Sequence, residues 1–238
     1  MIERNLVMPW TSPATAVFRL DNEAIDLMAK SGCSYINIAI EAGSERVTRD
    51  IVLKPLDYEH AKKMVAYAKK KGIFVGANFI IGFPTETWDE IRETLRVAEN
   101  LDVDYAKIFI ALPLRNTELF DLAKETDSLL IDSTDAKTMW SVGGVIKSKH
   151  WSADDLTILR AYEWDRINFS DPKKLKKTAN RMGITIDELN VIRRRTMDYA
   201  KKTISDRKSA HPDSSVKKAA DITLVSSEKS SSSLEKKH

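Results

Sequence analysis

Two kinds of hydrophobic spacing alternate along the first half of the chain. Residues 35–40, 73–81 and 104–112 are nearly continuous apolar runs rich in β-branched side chains, which is typical of strands buried on both faces. Between the first two runs, over residues 57–72, apolar side chains recur at i, i+3, i+4 and i+7. This spacing predicts an amphipathic helix that connects two strands.

Capping residues mark where the helices begin. Asp21 and Asp57 precede two helical patterns, and Thr87 with Glu90 forms the signature of a capping box before a third. Strand–helix–strand units of about 30 residues predict parallel strands with right-handed crossovers. The predicted class is α/β, with a sheet that is either open or closed into a barrel.

The second half of the chain has a different pattern. Ser152, Asp171 and Thr185 precede helical patterns, and a short strand is possible near residues 139–146. We therefore predict a β/α domain over residues 1–126 and a mostly helical extension over residues 127–204. Residues 205–238 are polar and serine-rich, which predicts a disordered tail.

Polar groups and turn-forming residues follow three of the predicted strands. In parallel α/β proteins, ligands bind at the carboxyl ends of strands. The run GFPTET begins with Gly82 at such an end, and a glycine there lets a flat ligand approach the backbone. Glu41 and Pro113 follow the neighbouring strands. A tight turn and a solvated loop without any ligand remain the alternatives.

Composition restricts the class of protein only modestly. The 238 residues have a formal net charge of +3 and a single cysteine, Cys33, so an internal disulfide is excluded. The sequence has no apolar run of the roughly 18 residues that span a bilayer, and its first residues do not resemble a signal peptide. These features predict a cytoplasmic protein.

Together, the strand ends resemble the C-terminal half of a radical S-adenosylmethionine (SAM) core domain. The runs that carry the resemblance are EAGS at residues 41–44, GFPTET at residues 82–87 and PLRNT at residues 113–117. The pattern is most similar to the subgroup associated with cobalamin-binding domains and to methylthiotransferase-like enzymes. The resemblance implies a partial parallel β/α barrel that binds SAM and a 4Fe–4S cluster, with cobalamin as a possible further cofactor.

The resemblance also implies a set of SAM-binding residues at the strand ends. Glu41 and Ser44 would lie near the ribose or the methionyl part of SAM, with Gly43 offering an exposed amide beside them. Ile81, Gly82 and Phe83 would line the adenine. The complete set is Glu41, Gly43, Ser44, Asn78, Ile81, Gly82, Phe83, Pro84 and Pro113. No catalytic residue and no metal ligand is assigned.

One departure from the family is serious, because the sequence contains no CxxxCxxC motif. One thiolate cannot hold the cluster that the family chemistry requires. We therefore expect a fragment of a radical SAM enzyme that is inactive alone. A member of the family that has lost its redox chemistry is the alternative.

Two other classes of protein remain open. Lys173, Lys177 and Arg181 belong to one basic cluster and Arg193–Arg195 to another, and both could contact RNA in a protein that is not an enzyme. An ordinary α/β enzyme that binds phosphate at a strand end ranks last, because the sequence has neither a P-loop nor GxGxxG. The substrate, a small molecule or RNA, is not identified.

Overall fold

The computed structural model describes residues 1–54, 56–130 and 144–210. Four strands belong to one sheet: β1 (Trp10–Ala16), β2 (Cys33–Glu41), β3 (Phe74–Ile81) and β4 (Tyr105–Ile110). The α-helices in these ranges are α1 (Asn22–Lys30), α2 (Tyr58–Lys70), α3 (Trp88–Asn100), α4 (Glu118–Glu125), α5 (Ala153–Phe169), α6 (Pro172–Met182) and α7 (Ile186–Ala210).

The sheet has the strand order β1-β2-β3-β4, and every neighbouring pair is parallel. In the described residues it is an open sheet rather than a closed barrel. The predicted class, α/β with an incomplete parallel β/α barrel followed by a helical extension, is confirmed. The predicted disordered tail lies largely outside the described residues, and α7 continues past residue 204 to Ala210. Among the described helices, none is long and apolar enough to cross a membrane.

The predicted capping residues begin their helices. Asp21, Asp57 and Asp171 each accept a hydrogen bond from a backbone amide two or three residues further on. Thr87 and Ser152 form complete capping boxes with Glu90 and Asp155. These side chains satisfy amides that have no partner within the helix, so local sequence alone determines where each helix starts.

The two faces of the sheet differ in what covers them. Val75, Ala77, Phe79 and Ile81 on β3 are fully buried in the core together with apolar residues of α2 and α3. The opposite face carries polar and aromatic side chains that are mostly only partly buried. We call this second face the open face, and define it by Tyr35, Asn37, Ala39, Gly76, Asn78, Ile80, Tyr105, Lys107 and Phe109.

The helical extension packs directly on the free edge of the sheet. The Asn168 side chain on α5 accepts a hydrogen bond from the Ala106 amide and donates one to the Ala106 carbonyl, both at 2.8 Å. This asparagine therefore takes the place of a neighbouring strand near the start of β4. Trp164 adds a hydrogen bond from its indole to the Tyr105 hydroxyl at 3.0 Å. The sheet and the extension share one hydrophobic core.

Some elements were not predicted from sequence. Strand β1 was missed, and so was a single π-helical turn over Val47–Ile51. The possible strand at residues 139–146 lies mostly outside the described residues. Within them, Ile146 forms an isolated antiparallel bridge with Leu129.

Candidate functional site

The carboxyl ends of three strands meet at one edge of the sheet. Glu41 ends β2, Gly82 follows β3, and Pro113 follows β4. Strands β3 and β4 stay in register to their last residues, and beyond them the Ala111 amide donates to the Ile81 carbonyl at 2.9 Å. The sequence prediction that these strand ends gather on one side is therefore confirmed.

A buried carboxyl group holds the turn after β3. One oxygen of Glu86 accepts hydrogen bonds from the amides of Gly82 at 2.5 Å and Phe83 at 3.0 Å. The other oxygen is buried and has no hydrogen-bond partner. Burial raises the pKa of Glu86 to about 8, although the Phe83 and Gly82 amides act in the opposite direction. The GFPTET run is thus a preorganised turn built around one carboxyl group.

The side chains of this turn do not point where the sequence prediction placed them. Gly82 has φ +84°, and a Cβ built there would lie 2.2 Å from Leu156 Cδ1 on α5. Leu156, rather than a ligand, therefore fills the space beside Gly82. Ile81 and Phe83 are buried in the core. Their side chains cannot form an exposed apolar wall, so only their backbone atoms are available at the edge.

Glu41 adopts a backbone conformation that is uncommon for glutamate. Its φ is +68°, and the pairing between β2 and β3 shifts register between Ala39 and Glu41. The carboxylate is 14% exposed and accepts a hydrogen bond from Lys54 Nζ at 3.2 Å. Such outliers cost about 1–3 kcal/mol and concentrate at functional sites, so this one makes Glu41 a candidate ligand-binding residue.

Gly43 and Ser44 contact α3 rather than solvent. The Gly43 amide donates to the Thr94 hydroxyl at 2.9 Å, and a Cβ on Gly43 would lie 2.8 Å from the backbone of Glu93 and Thr94. Ser44 is buried, and its hydroxyl lies 3.4 Å from Glu90 Oε1. The prediction that the Gly43 amide and the Ser44 hydroxyl are exposed is therefore wrong. The loop that carries them packs against α3.

Asn78 lies on the open face below the strand ends. Its side-chain oxygen is buried without a hydrogen-bond partner. Lys107 is its neighbour on β4 in the parallel register. Phe109, two residues further along β4, is 47% exposed beside Ile80. The sequence prediction missed Lys107 and Phe109, although alternation along β4 could have indicated both.

A cavity lies beside this edge of the sheet rather than on the open face. Its volume is about 790 Å³, and Pro84 is the one predicted SAM-binding residue that lines it. In its wall, Arg46 forms a bidentate ion pair with Glu90 at 2.5 and 2.8 Å. This hydrogen bonding lowers the pKa of Glu90 to about 2. The charges of Arg46 and Glu90 in the wall of this cavity therefore already compensate each other.

The described residues do not fit an iron–sulfur cluster. Cys33 is buried at the start of β2, and burial raises the pKa of its thiol. Within the described residues, no group of three His, Cys, Asp or Glu side chains could hold a metal ion. No reaction step can therefore be assigned to a cluster held by these residues.

The basic side chains of the extension are partly committed to contacts within the protein. Lys177 pairs with Asp104 at 2.6 Å, and Arg193 pairs with Asp165 at 2.7 Å. Arg181 lies over the Tyr35 ring at 5.2 Å. Contact with RNA through these helices stays a prediction, and these pairs leave fewer free cations for it.

At the ends of its parallel strands, this α/β protein has a glycine turn held by Glu86 and a glutamate, Glu41, in the left-handed backbone region. Residues 5–98 match the Radical SAM superfamily. This match includes the EAGS and GFPTET runs and agrees with the resemblance that they indicated.

The chain is also similar to parts of two methyltransferases. The chain is 36% identical over 119 residues to a cytidylyl-2-hydroxyethylphosphonate methyltransferase of Streptomyces wedmorensis, covering 47% of this chain and 22% of the relative. It is 29% identical over 157 residues to an uncharacterised methyltransferase of Pyrococcus horikoshii, covering 66% and 33%. The chain thus spans between a fifth and a third of these relatives.

A solved structure aligns with part of this chain. The radical SAM methyltransferase TsrM from Kitasatospora setae, with cobalamin and a 4Fe–4S cluster bound, aligns with a TM-score of 0.39 and 20% identity. The alignment covers 42% of this chain and 19% of that protein.

Proposed function

We propose that this chain contributes the nucleoside-binding strand ends of a radical SAM methyltransferase. The observation that carries the proposal is the shared edge at which Glu41, Gly82 and Pro113 end three adjacent parallel strands. SAM would supply the methyl group. Methyl transfer is favoured over other reactions of the family because both relatives described above are methyltransferases.

The residues at this edge fit a nucleoside in a way that differs from the sequence prediction. Glu41 would accept hydrogen bonds from ribose hydroxyls or from the methionyl ammonium group. Ile80 and Phe109 would provide the apolar flank, and the backbone of residues 81–83 would read the edge of the base. Ser44 and Gly43 would act indirectly, because they fix the loop that follows Glu41.

The chain is proposed to lack SAM cleavage on its own. A radical SAM reaction needs three thiolate ligands for the cluster, and the sequence has only Cys33. After anaerobic reconstitution with iron and sulfide, we expect no 5′-deoxyadenosine. Robust formation of that product by this chain would contradict the proposal. Use of cobalamin and a cytoplasmic location stay predictions.

Isothermal titration calorimetry tests the proposed nucleoside site. We expect weak binding of SAM that Glu41→Gln weakens by about tenfold, since a hydrogen bond to a charged group is worth about 1.5–3 kcal/mol. Glu45→Gln is the matched control, because the Glu45 side chain is 91% exposed on the same loop. Absence of SAM binding at millimolar concentration, or equal affinity in the Glu41 variant, would rule the site out.

A further inference from the structure

The open face contains a lysine that has no acidic partner. Lys107 lies on this face in the middle of β4, with its ammonium group 5.9 Å from the centroid of the Tyr35 ring. Within the described residues, no ion pair of Lys107 is found. A half-buried ammonium group of this kind is costly unless an anion compensates for it. Burial lowers the pKa of Lys107, which agrees with such an uncompensated position.

Two acidic side chains at the ends of these strands are already paired with lysines. Glu41, at the carboxyl end, interacts with Lys54 at 3.2 Å. Asp104, just before β4, interacts with Lys177 at 2.6 Å and accepts the Val75 amide at 2.9 Å. Glu41 and Asp104 therefore each have a lysine partner, whereas Lys107 has no acidic partner within the described residues.

Two further groups on this side of the sheet are incompletely satisfied. The Asn78 side-chain oxygen, next to Lys107 in the register, is buried and has no hydrogen-bond donor. Arg160 on α5 has a buried Nε without a partner, and burial lowers the pKa of its guanidinium group. Arg160 lies near Tyr105, which is on the same face as Lys107. A ligand with an anionic group and a hydrogen-bond donor would satisfy Lys107 and Asn78 together.

We propose that Lys107 and Asn78 bind an oxyanion of the substrate, a carboxylate or a phosphoryl group, on the open face. The Lys107 ammonium group pairs with the negative charge of the oxyanion. Asn78 accepts a hydrogen bond from an adjacent hydroxyl or amide of the same molecule. Lys107 lies three residues before the end of β4, which is about 10 Å below the strand ends. The substrate group therefore occupies a level deeper than the nucleoside.

This assignment rests on the proposed function, because it names the class of substrate for the same domain. Two kinds of oxyanion would satisfy Lys107, so the experiment uses methylphosphonate and acetate as separate probes. The intact chain is reductively methylated with ¹³C-formaldehyde, and the Lys107 resonance is identified by its absence in Lys107→Arg. We expect one or both probes to shift this resonance and raise its titration midpoint, while the resonance of exposed Lys63 does not move.

Substitutions at Asn78 and Lys107 provide the second measurement. We expect Asn78→Asp to weaken binding of the effective probe about tenfold, because a carboxylate beside Lys107 takes the place of the anion. Lys107→Met should abolish binding and Lys107→Arg should retain it. Asn180→Asp on the exposed surface of α6 is the matched control and should bind normally.

Three outcomes would overturn the assignment. The first is no selective response of Lys107 to either probe. The second is unchanged probe binding in Lys107→Met. The third is a Lys107 resonance that SAM itself shifts and that neither probe shifts once SAM is present. This result would mean that Lys107 binds the carboxylate of SAM. Because SAM binding and its dependence on Glu41 are measured separately, failure of the oxyanion site is distinguishable from failure of the nucleoside site.

Discussion

Glu86 is a carboxylic acid that is fully buried in the protein. Its carboxyl group is buried under the turn after β3, and its pKa is raised from 4.5 to about 8. Because the folded state binds the proton more tightly than the unfolded state, Glu86 stabilises the protein fully below pH 4.5. That contribution is lost as the pH rises through 8.

We predict that Glu86→Gln flattens the pH dependence of stability. In the natural chain, the free energy of unfolding should fall by up to about 1.4 kcal/mol per pH unit between pH 5 and 8. The glutamine keeps an oxygen for the Gly82 and Phe83 amides but does not titrate. Urea unfolding across this pH range measures the slope. The exposed Glu45→Gln should keep the natural slope, and an unchanged slope in Glu86→Gln would contradict the assigned protonation.

A glycine is required at position 43 because the backbone of α3 lies close to it, and not because of its own dihedral angles. A Cβ there would lie 2.8 Å from the carbonyl oxygen of Glu93 and from Thr94 Cα. Backbone atoms of a helix cannot move aside as the end of a flexible side chain can. The small residue at position 43 therefore allows the loop after β2 to pack on α3.

We predict that Gly43→Ala destabilises the protein by about 1–3 kcal/mol through overpacking. The matched control is Gly72→Ala, where a Cβ meets nothing within 4 Å although φ is +81°. That variant should cost only about 1 kcal/mol from backbone strain. Urea midpoints compare the two, and a larger loss in Gly72→Ala would refute the close-packing explanation.

At the scale of elements, helix starts and parallel strands were predictable, whereas side-chain direction at the site was not. Caps such as Asp57 and Thr87 act on amides three residues away, so a short stretch of sequence contains the whole interaction. Strand β3 is apolar on both faces near its end, so no alternation reveals that Ile80 faces outward and Ile81 inward. Gly43 and Gly82 depend on contacts with α3 and α5, which sequence spacing does not show.

The missed strand β1 illustrates the same limit. It contains Thr11, Ser12 and Pro13, and it forms one edge of the sheet. A proline is tolerated at an edge because no neighbour there needs its missing amide. The composition of β1 is therefore closer to that of a loop, and its strand character comes from pairing with β2.

The edge of β4 depends on one asparagine side chain. Asn168 pairs with both backbone groups of Ala106, so replacing it leaves a buried amide and a buried carbonyl unsatisfied. Because each such group costs about 1–3 kcal/mol, we predict that Asn168→Leu destabilises the protein by about 2–4 kcal/mol. The exposed strand edge should also promote self-association. Urea unfolding and light scattering measure the two effects.

Asn180→Leu serves as the control for the Asn168 substitution. Asn180 is exposed on α6, so the same exchange there should change stability by less than about 0.5 kcal/mol. A stable, monomeric Asn168→Leu protein would show that helix packing alone protects β4.

At the scale of the whole molecule, the predicted boundary at residue 126 does not separate the hydrophobic core. Residues of the sheet and of α5, α6 and α7 belong to one cluster of buried apolar side chains. Leu156 fills the space beside Gly82, and the Trp151 indole donates to the Glu86 carbonyl at 2.8 Å. The extension therefore supports the same turn that we propose to contact the nucleoside.

This shared core predicts that the sheet and the extension unfold together. Urea transitions followed by far-UV circular dichroism and by hydrogen exchange of β3 amides should give the same free energy. Ile167→Val, which removes one buried methyl group from α5, should lower both values equally by about 0.5–1.5 kcal/mol. Ile192→Val on the exposed side of α7 is the control and should change neither. If Ile167→Val loosened only the helices and left exchange in β3 unchanged, the extension would be a separate unit, and its support of the turn after β3 would be disproved.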